Sequence, residues 1–207
     1  MNQPLHFTPA ADDREELQRA EIYGLLARLF YGPPSRELHE QLAVAPTVAP
    51  SPGGALEASW GEVVAVVRRV DAARIAEEYE SLFWGIGKPE VFLYGSHHIA
   101  GALNEKPLVA LRDTLARLGL ARAESMSETE DHIAYLCEVM RFLIAGDDVA
   151  VCNLGTQQRF FDEHLRGWTD RLFEQLAAHP GADFYRAVAQ FAREFFAVEA
   201  QAFDMLD

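Results

Sequence analysis

The side chains best suited to chemistry in this chain are His97 and His98, the Asp131-His132 pair, and His164. An acid beside an imidazole is a base with its orienting partner, and several imidazoles with a carboxylate are donors that a divalent metal takes. The spacing supports neither use. Zinc hydrolases place histidines as HxxxH or HExxH, and di-iron bundles use paired Glu-x-x-His motifs; none of these occurs. Adjacent residues such as His97 and His98 rarely both reach one ion. No Walker glycine loop and no Gly-x-Ser-x-Gly elbow is present, so phosphate cradling and serine hydrolysis lack an anchor. The expectation is a protein with no catalytic residue, no metal site and no cofactor. The rival reading is a small all-α metal-dependent hydrolase built on His97, Asp131, His132 and His164.

These residues flank a run of aromatics. In Glu78-Tyr79-Glu80-Ser81-Leu82-Phe83-Trp84-Gly85-Ile86-Gly87-Lys88-Pro89, Tyr79, Leu82 and Phe83 fall at i, i+3 and i+4 and share a helix face. Gly85, Gly87 and Pro89 then stop the helix. A long loop follows through Leu93-Tyr94-Gly95-Ser96-His97-His98, with room for a binding role beyond mere connection. Further on, Ser127-Glu128-Thr129-Glu130 has the form of a capping box, in which Ser127 would cap a helix running from Glu128 to about Ala145. Asp131 would then sit in its first turn, favoured by the helix dipole.

Glu-Tyr-x-x-Leu-Phe-x-Gly-x-Gly, then Tyr-x-Ser, then Glu-Asp-His-Ile resemble the TorD/DmsD/NarJ family, chaperones dedicated to molybdenum-cofactor redox enzymes. The likeness extends from about Leu17 to the C-terminal helix, and Phe161-x-x-His164-Leu165-x-x-Trp168 is a further shared motif. The resemblance implies a TorD-like fold and no enzymatic activity. It implies two partners, the apo form of a molybdoenzyme catalytic subunit and its twin-arginine leader peptide, with export delayed until the cofactor is inserted. It also implies a monomer or a domain-swapped dimer. Leu93 and His98 depart from the commoner family pattern, and the stretch around them is most similar to members associated with formate dehydrogenases. On this basis the peptide-binding residues are expected to be Tyr79, Leu82, Phe83, Trp84, Tyr94, Ser96, His97, Glu130, Asp131 and His132. Burying one Leu or Phe anchor yields about 1.5–3 kcal/mol, whereas ordering a flexible peptide costs about 2–5 kcal/mol. Several anchors are therefore needed, with the aromatics carrying affinity and the acids steering arginines.

Composition is compatible with this reading. Acidic residues outnumber basic ones 32 to 18, a formal charge of -14, which disfavours nucleic acid and anionic membranes and suits a basic partner. Only two cysteines, Cys137 and Cys152, are present, and neither belongs to a CxxC motif. Cys137 falls on an apolar helix face, as a buried thiol would. With no export signal at the N-terminus and no apolar run of membrane-spanning length, the expected location is the cytoplasm.

The elements that must position the site read as helices throughout. Residues 1–11 read as a loose tail. A helix from Asp12 or Asp13 buries Ile22, Leu25, Leu26, Leu29 and Phe30, and Gly32-Pro33-Pro34 ends it. Ser35 caps a short helix to about Leu42, and residues 43–55 form a Pro/Ala/Gly-rich loop that would permit a swap. Val63 to Val70 could be a strand, but no hairpin partner follows, so a helix is expected. Asp71 caps another helix through Trp84. Leu108, Leu111, Leu115 and Leu118 mark a helix closed by Gly119. A stretch containing Phe161, Leu165, Trp168, Leu172 and Leu176 is expected to kink at Gly167, and Phe184, Val188, Phe191, Phe195 and Val198 define the last helix. The sum is an all-α, single-domain bundle of about eight or nine helices.

Overall fold

The computed structural model describes residues 11–47, 54–85, 87–123 and 126–206. The expected tail, except for its last residue, and the 48–53 part of the expected loop lie outside the described residues. Among those described there are ten α-helices and no β-strand. They are α1 (Ala11–Tyr31), α2 (Arg36–Ala43), α3 (Glu57–Arg69), α4 (Ala72–Tyr79), α5 (Gly95–Ala100), α6 (Lys106–Arg117), α7 (Ile133–Ala145), α8 (Leu154–His164), α9 (Thr169–Ala177) and α10 (Phe184–Asp204). A five-residue π turn, Glu80–Trp84, continues α4.

Local chemistry sets most boundaries. Ser35 Oγ accepts from the Leu38 amide and Asp71 Oδ1 from the Arg74 amide, capping α2 and α4 as their sequences require. Gly119 takes a positive φ of 72° just beyond α6. The β-branched run of α3 is helical, with Val63, Val64, Val66 and Val67 buried. Two additions carry the count past eight or nine. The segment after Tyr94, read as loop, turns into α5. The stretch across Gly167 is divided rather than kinked: Trp168 Nε1 donates to the His164 carbonyl at 2.7 Å, ending α8 before α9 starts at Thr169.

In the core, α1 lies along α7, and α10 lies against α3 and α9. Leu26, Leu29 and Phe30 of the expected α1 stripe are buried, while Ile22 and Leu25 sit half-buried at its edge. Tyr23 was missing from that stripe and is wholly buried, because its hydroxyl finds a partner inside. It donates to Glu199 Oε2 at 3.1 Å, and Arg19 grips the same carboxylate through Nε at 2.7 Å and Nη2 at 2.8 Å. Glu199 is 2% exposed, so this cluster fixes α1 to α10. Val198, assigned to the buried face of α10, is exposed. Cys137 is buried as expected.

Candidate functional site

The Glu78–Trp84 motif holds three helices together before it does anything else. The Glu78 carboxylate accepts from the amides of Asp183, Phe184 and Tyr185 at 2.8–3.1 Å, closing the N-terminus of α10. Tyr79 donates its hydroxyl to the Phe30 carbonyl and Tyr185 donates to Leu29, so two phenols satisfy consecutive carbonyls near the end of α1. The π turn is closed by the Gly85 amide donating to the Glu80 carbonyl at 2.8 Å. Its wider register leaves the Leu82 carbonyl free to accept from the Glu90 and Val91 amides, which folds the following loop back. Leu82 and Phe83 point inward, whereas Trp84 is 58% exposed, its ring edge-on to Tyr79 at 5.5 Å.

The second and third motifs are joined. Tyr94 and His132 form an isolated antiparallel bridge; the Gly95 amide donates to the Asp131 carbonyl at 2.9 Å and Ile133 to Leu93 at 2.8 Å. Their rings meet edge to face at 5.0 Å. The buried Asp131 carboxylate accepts from the Ser96 amide at 2.8 Å and from the Thr129 hydroxyl at 2.7 Å, so it closes the start of α5. The capping box is not used as its sequence suggested. α7 starts at Ile133, and its cap is His132, whose Nδ1 accepts from the Ala134 amide at 3.2 Å. Ser127 instead donates to the Glu128 carboxylate. The tertiary pull on Asp131 and the Tyr94 bridge keep residues 127–132 out of the helix.

This bridge forms a wall between two concavities. On one side is an aromatic hollow of about 200 Å³, lined among others by Tyr31, Tyr79, Phe83, Trp84, Tyr94, Glu128 and His132. On the other is a half-open cleft of about 700 Å³, onto which Ser96 and Asp131 face. Of the expected binding residues, Tyr79, Phe83, Trp84, Tyr94 and His132 therefore meet around the hollow, while Ser96 and Asp131 lie across the wall. Leu82 is buried beneath Phe83's turn. His97 stacks on Phe92 at 4.1 Å, and Glu130 is paired with Arg112 at 2.8 Å. Sequence reasoning missed Glu128, which accepts the Tyr94 hydroxyl, and Tyr31, the last residue of α1, whose exposed ring lines the hollow. An aromatic off the apolar stripe and directly before Gly32-Pro33-Pro34 was the available signal for Tyr31.

Electrostatics follow burial. His132, 4% exposed, is brought down to about 4 by desolvation, with Glu128 and Asp131 pulling the other way. Burial and then the Glu128 hydrogen bond raise Tyr94, keeping it a phenol donor. Among the described residues no group of three or more His, Cys, Asp or Glu side chains is placed to hold a metal ion. The four residues of the hydrolase reading are spent separately: His164 Nε2 is 3.0 Å from Thr114 Oγ1, His97 stacks, His132 caps and Asp131 binds Ser96.

Comparison with known proteins gives this arrangement its context. The family described as nitrate reductase delta subunit matches residues 50–174, more than half of the chain and all of the motifs around the hollow. The chain belongs to that family, the TorD/DmsD/NarJ chaperones of redox-enzyme maturation. A Haemophilus influenzae protein named "Probable Tat proofreading chaperone DmsD" is 27% identical over 84% of this chain and 86% of its own. A Vibrio cholerae "Chaperone protein TorD" is 27% identical over 91% and 93% respectively. The fold is shared with the crystal structure of a "Putative Redox Enzyme Maturation Protein" from Archaeoglobus fulgidus, with a TM-score of 0.57, 17% identity and coverage of 95% and 99%. The curated relatives named here are chaperones, and this chaperone is similar to them over nearly its whole length. Among its described residues no helix is long and apolar enough to cross a membrane.

Proposed function

We propose that this chaperone binds the twin-arginine leader of an apo-molybdoenzyme catalytic subunit in the cytoplasm, seats an apolar leader side chain in the aromatic hollow, and so delays export until cofactor insertion is complete. The observation that carries the reading is Trp84. A large aromatic is held out to solvent at the mouth of an aromatic concavity while its neighbours Leu82 and Phe83 are buried. At about 200 Å³ the hollow is smaller than the roughly 300–1,000 Å³ typical of small-molecule sites, and suits one inserted side chain. Glu128, at its edge, accepts from the Tyr94 and Ser127 hydroxyls, neither of them a cation, and is the carboxylate proposed to meet a leader arginine, whereas Glu130 is ion-paired with Arg112 and Asp131 is buried.

Isothermal titration with leader peptides of twin-arginine molybdoenzymes, a formate dehydrogenase leader among them, tests this. Binding is expected at roughly micromolar affinity or better. Trp84→Ala is the informative variant because its ring is exposed, whereas Phe83 and Asp131 also serve the fold. It is expected to weaken the best leader at least about tenfold, near 1.4 kcal/mol. Absence of binding by every leader, or unchanged affinity in Trp84→Ala, overturns the reading.

A further inference from the structure

The hollow takes one anchor, and one anchor does not offset the ordering of a flexible peptide. The opposite side of the wall offers a second seat. The cleft between α5, α6 and the end of α8 has apolar sides, with Ile99 exposed at its lip and Leu111 and Trp168 deeper in. Ser96 also lines it, and the Ser96 hydroxyl is buried without a hydrogen-bond partner. An unpaired buried hydroxyl costs free energy until something meets it. Asp113 and Glu163 stand at the cleft, with Arg117 partly engaged by the Thr114 hydroxyl at 2.9 Å. Glu163 lies beside His164, at 3.6 Å, and burial holds that imidazole below its ordinary pKa. With Asp131 inside, the lining carries three carboxylates against one guanidinium.

We propose that this cleft is a second peptide seat, taking a cationic–apolar segment of a partner chain. Its apolar side chain lies between Ile99, Leu111 and Trp168, its basic residue meets Asp113 and Glu163, and a main-chain group meets the Ser96 hydroxyl as the segment settles. A second copy of this chain is a poor occupant, since each copy carries a formal charge of -14. The inference rests on the reading of the protein as a peptide-binding chaperone, but not on the leader's seat in the hollow.

The three tryptophans separate the possibilities. Trp168 reports the cleft, Trp84 the hollow, and Trp60, whose Nε1 donates to the Pro46 carbonyl, serves as control. The probe is a short blocked peptide with two arginines followed by apolar residues, titrated into the full chain carrying ¹⁵N-labelled indoles and followed by NMR. The Trp168 signal is expected to shift saturably and to do so equally in Trp84→Ala. Ala110→Phe, at an exposed position lining the cleft, should abolish that shift and leave the Trp84 response intact. Asp113→Lys, or replacing the peptide's arginines with glutamine, should weaken the Trp168 response about fivefold or more. A Trp168 signal that stays still, that moves only together with Trp84, that ignores peptide charge, or that shifts only with self-association of the protein overturns the proposal. A silent Trp84 beside a responding Trp168 retains the cleft and removes the leader from the hollow.

Discussion

Lowering the pH should unfold this chaperone through His132 more than through any exposed histidine. The ring is buried, and its pKa falls from an ordinary 6.5 to about 4 in the folded state. Between these values the unfolded chain binds the proton and the native chain does not, so stability falls as pH falls. From pH 8 to pH 5.5 the difference in proton binding corresponds to about 1.4 kcal/mol, a tenfold change in the folding equilibrium. This range stays above the sequence pI of about 4.9, where net charge would be lost. Protonation also places a hydrogen on Nδ1, the atom that accepts from the Ala134 amide, so the cap of α7 is lost with it. The perturbation that isolates this effect is His132→Asn, since asparagine is a good N-cap and does not titrate. Urea unfolding at a series of pH values should show wild type losing about 1.4 kcal/mol more than His132→Asn over the window. Contributions common to the two proteins cancel in this difference. Parallel stability curves for the two proteins would refute the reasoning.

Two further outcomes follow from the geometry. Glu199→Ala leaves Arg19 and the buried Tyr23 hydroxyl without their acceptor and should cost about 3 kcal/mol, the lower end for a broken buried pair because Arg19 keeps some exposure. In a chain of this size that is a fall in Tm of about 6–12 °C by calorimetry, and a fall below about 2 °C would contradict the role given to the cluster. Gly85→Ala places a Cβ against the Lys88 carbonyl at a backbone position of φ 57° and ψ 170°, a region essentially reserved for glycine, and should cost about 2 kcal/mol or more in chemical unfolding.

What could be read from the sequence was what neighbours in the chain decide. Asp71 and Ser35 cap the helices they precede, Gly119 closes α6, and the valines of α3 are helical once no hairpin partner exists. Two of the failures share a physical cause, a partner distant in sequence. Ser127-Glu128-Thr129-Glu130 meets the local rule for a helix start, yet Asp131 is drawn to Ser96 across 35 positions and the helix starts later. Glu78 reads as an ordinary surface acid within a helix, although it closes α10 more than 100 residues away. The π turn has no periodic signature either. The shared face of Tyr79, Leu82 and Phe83 was visible, but not the outward placement of Trp84, on which the proposed recognition depends.

The wall made by Tyr94 and His132 draws its two halves from segments 38 positions apart, and neither half is a helix or a strand that could persist alone. Both concavities come into being with that single junction. A half-folded copy of this chaperone therefore presents neither concavity, and the recognition proposed for them would begin only once its own tertiary structure is finished.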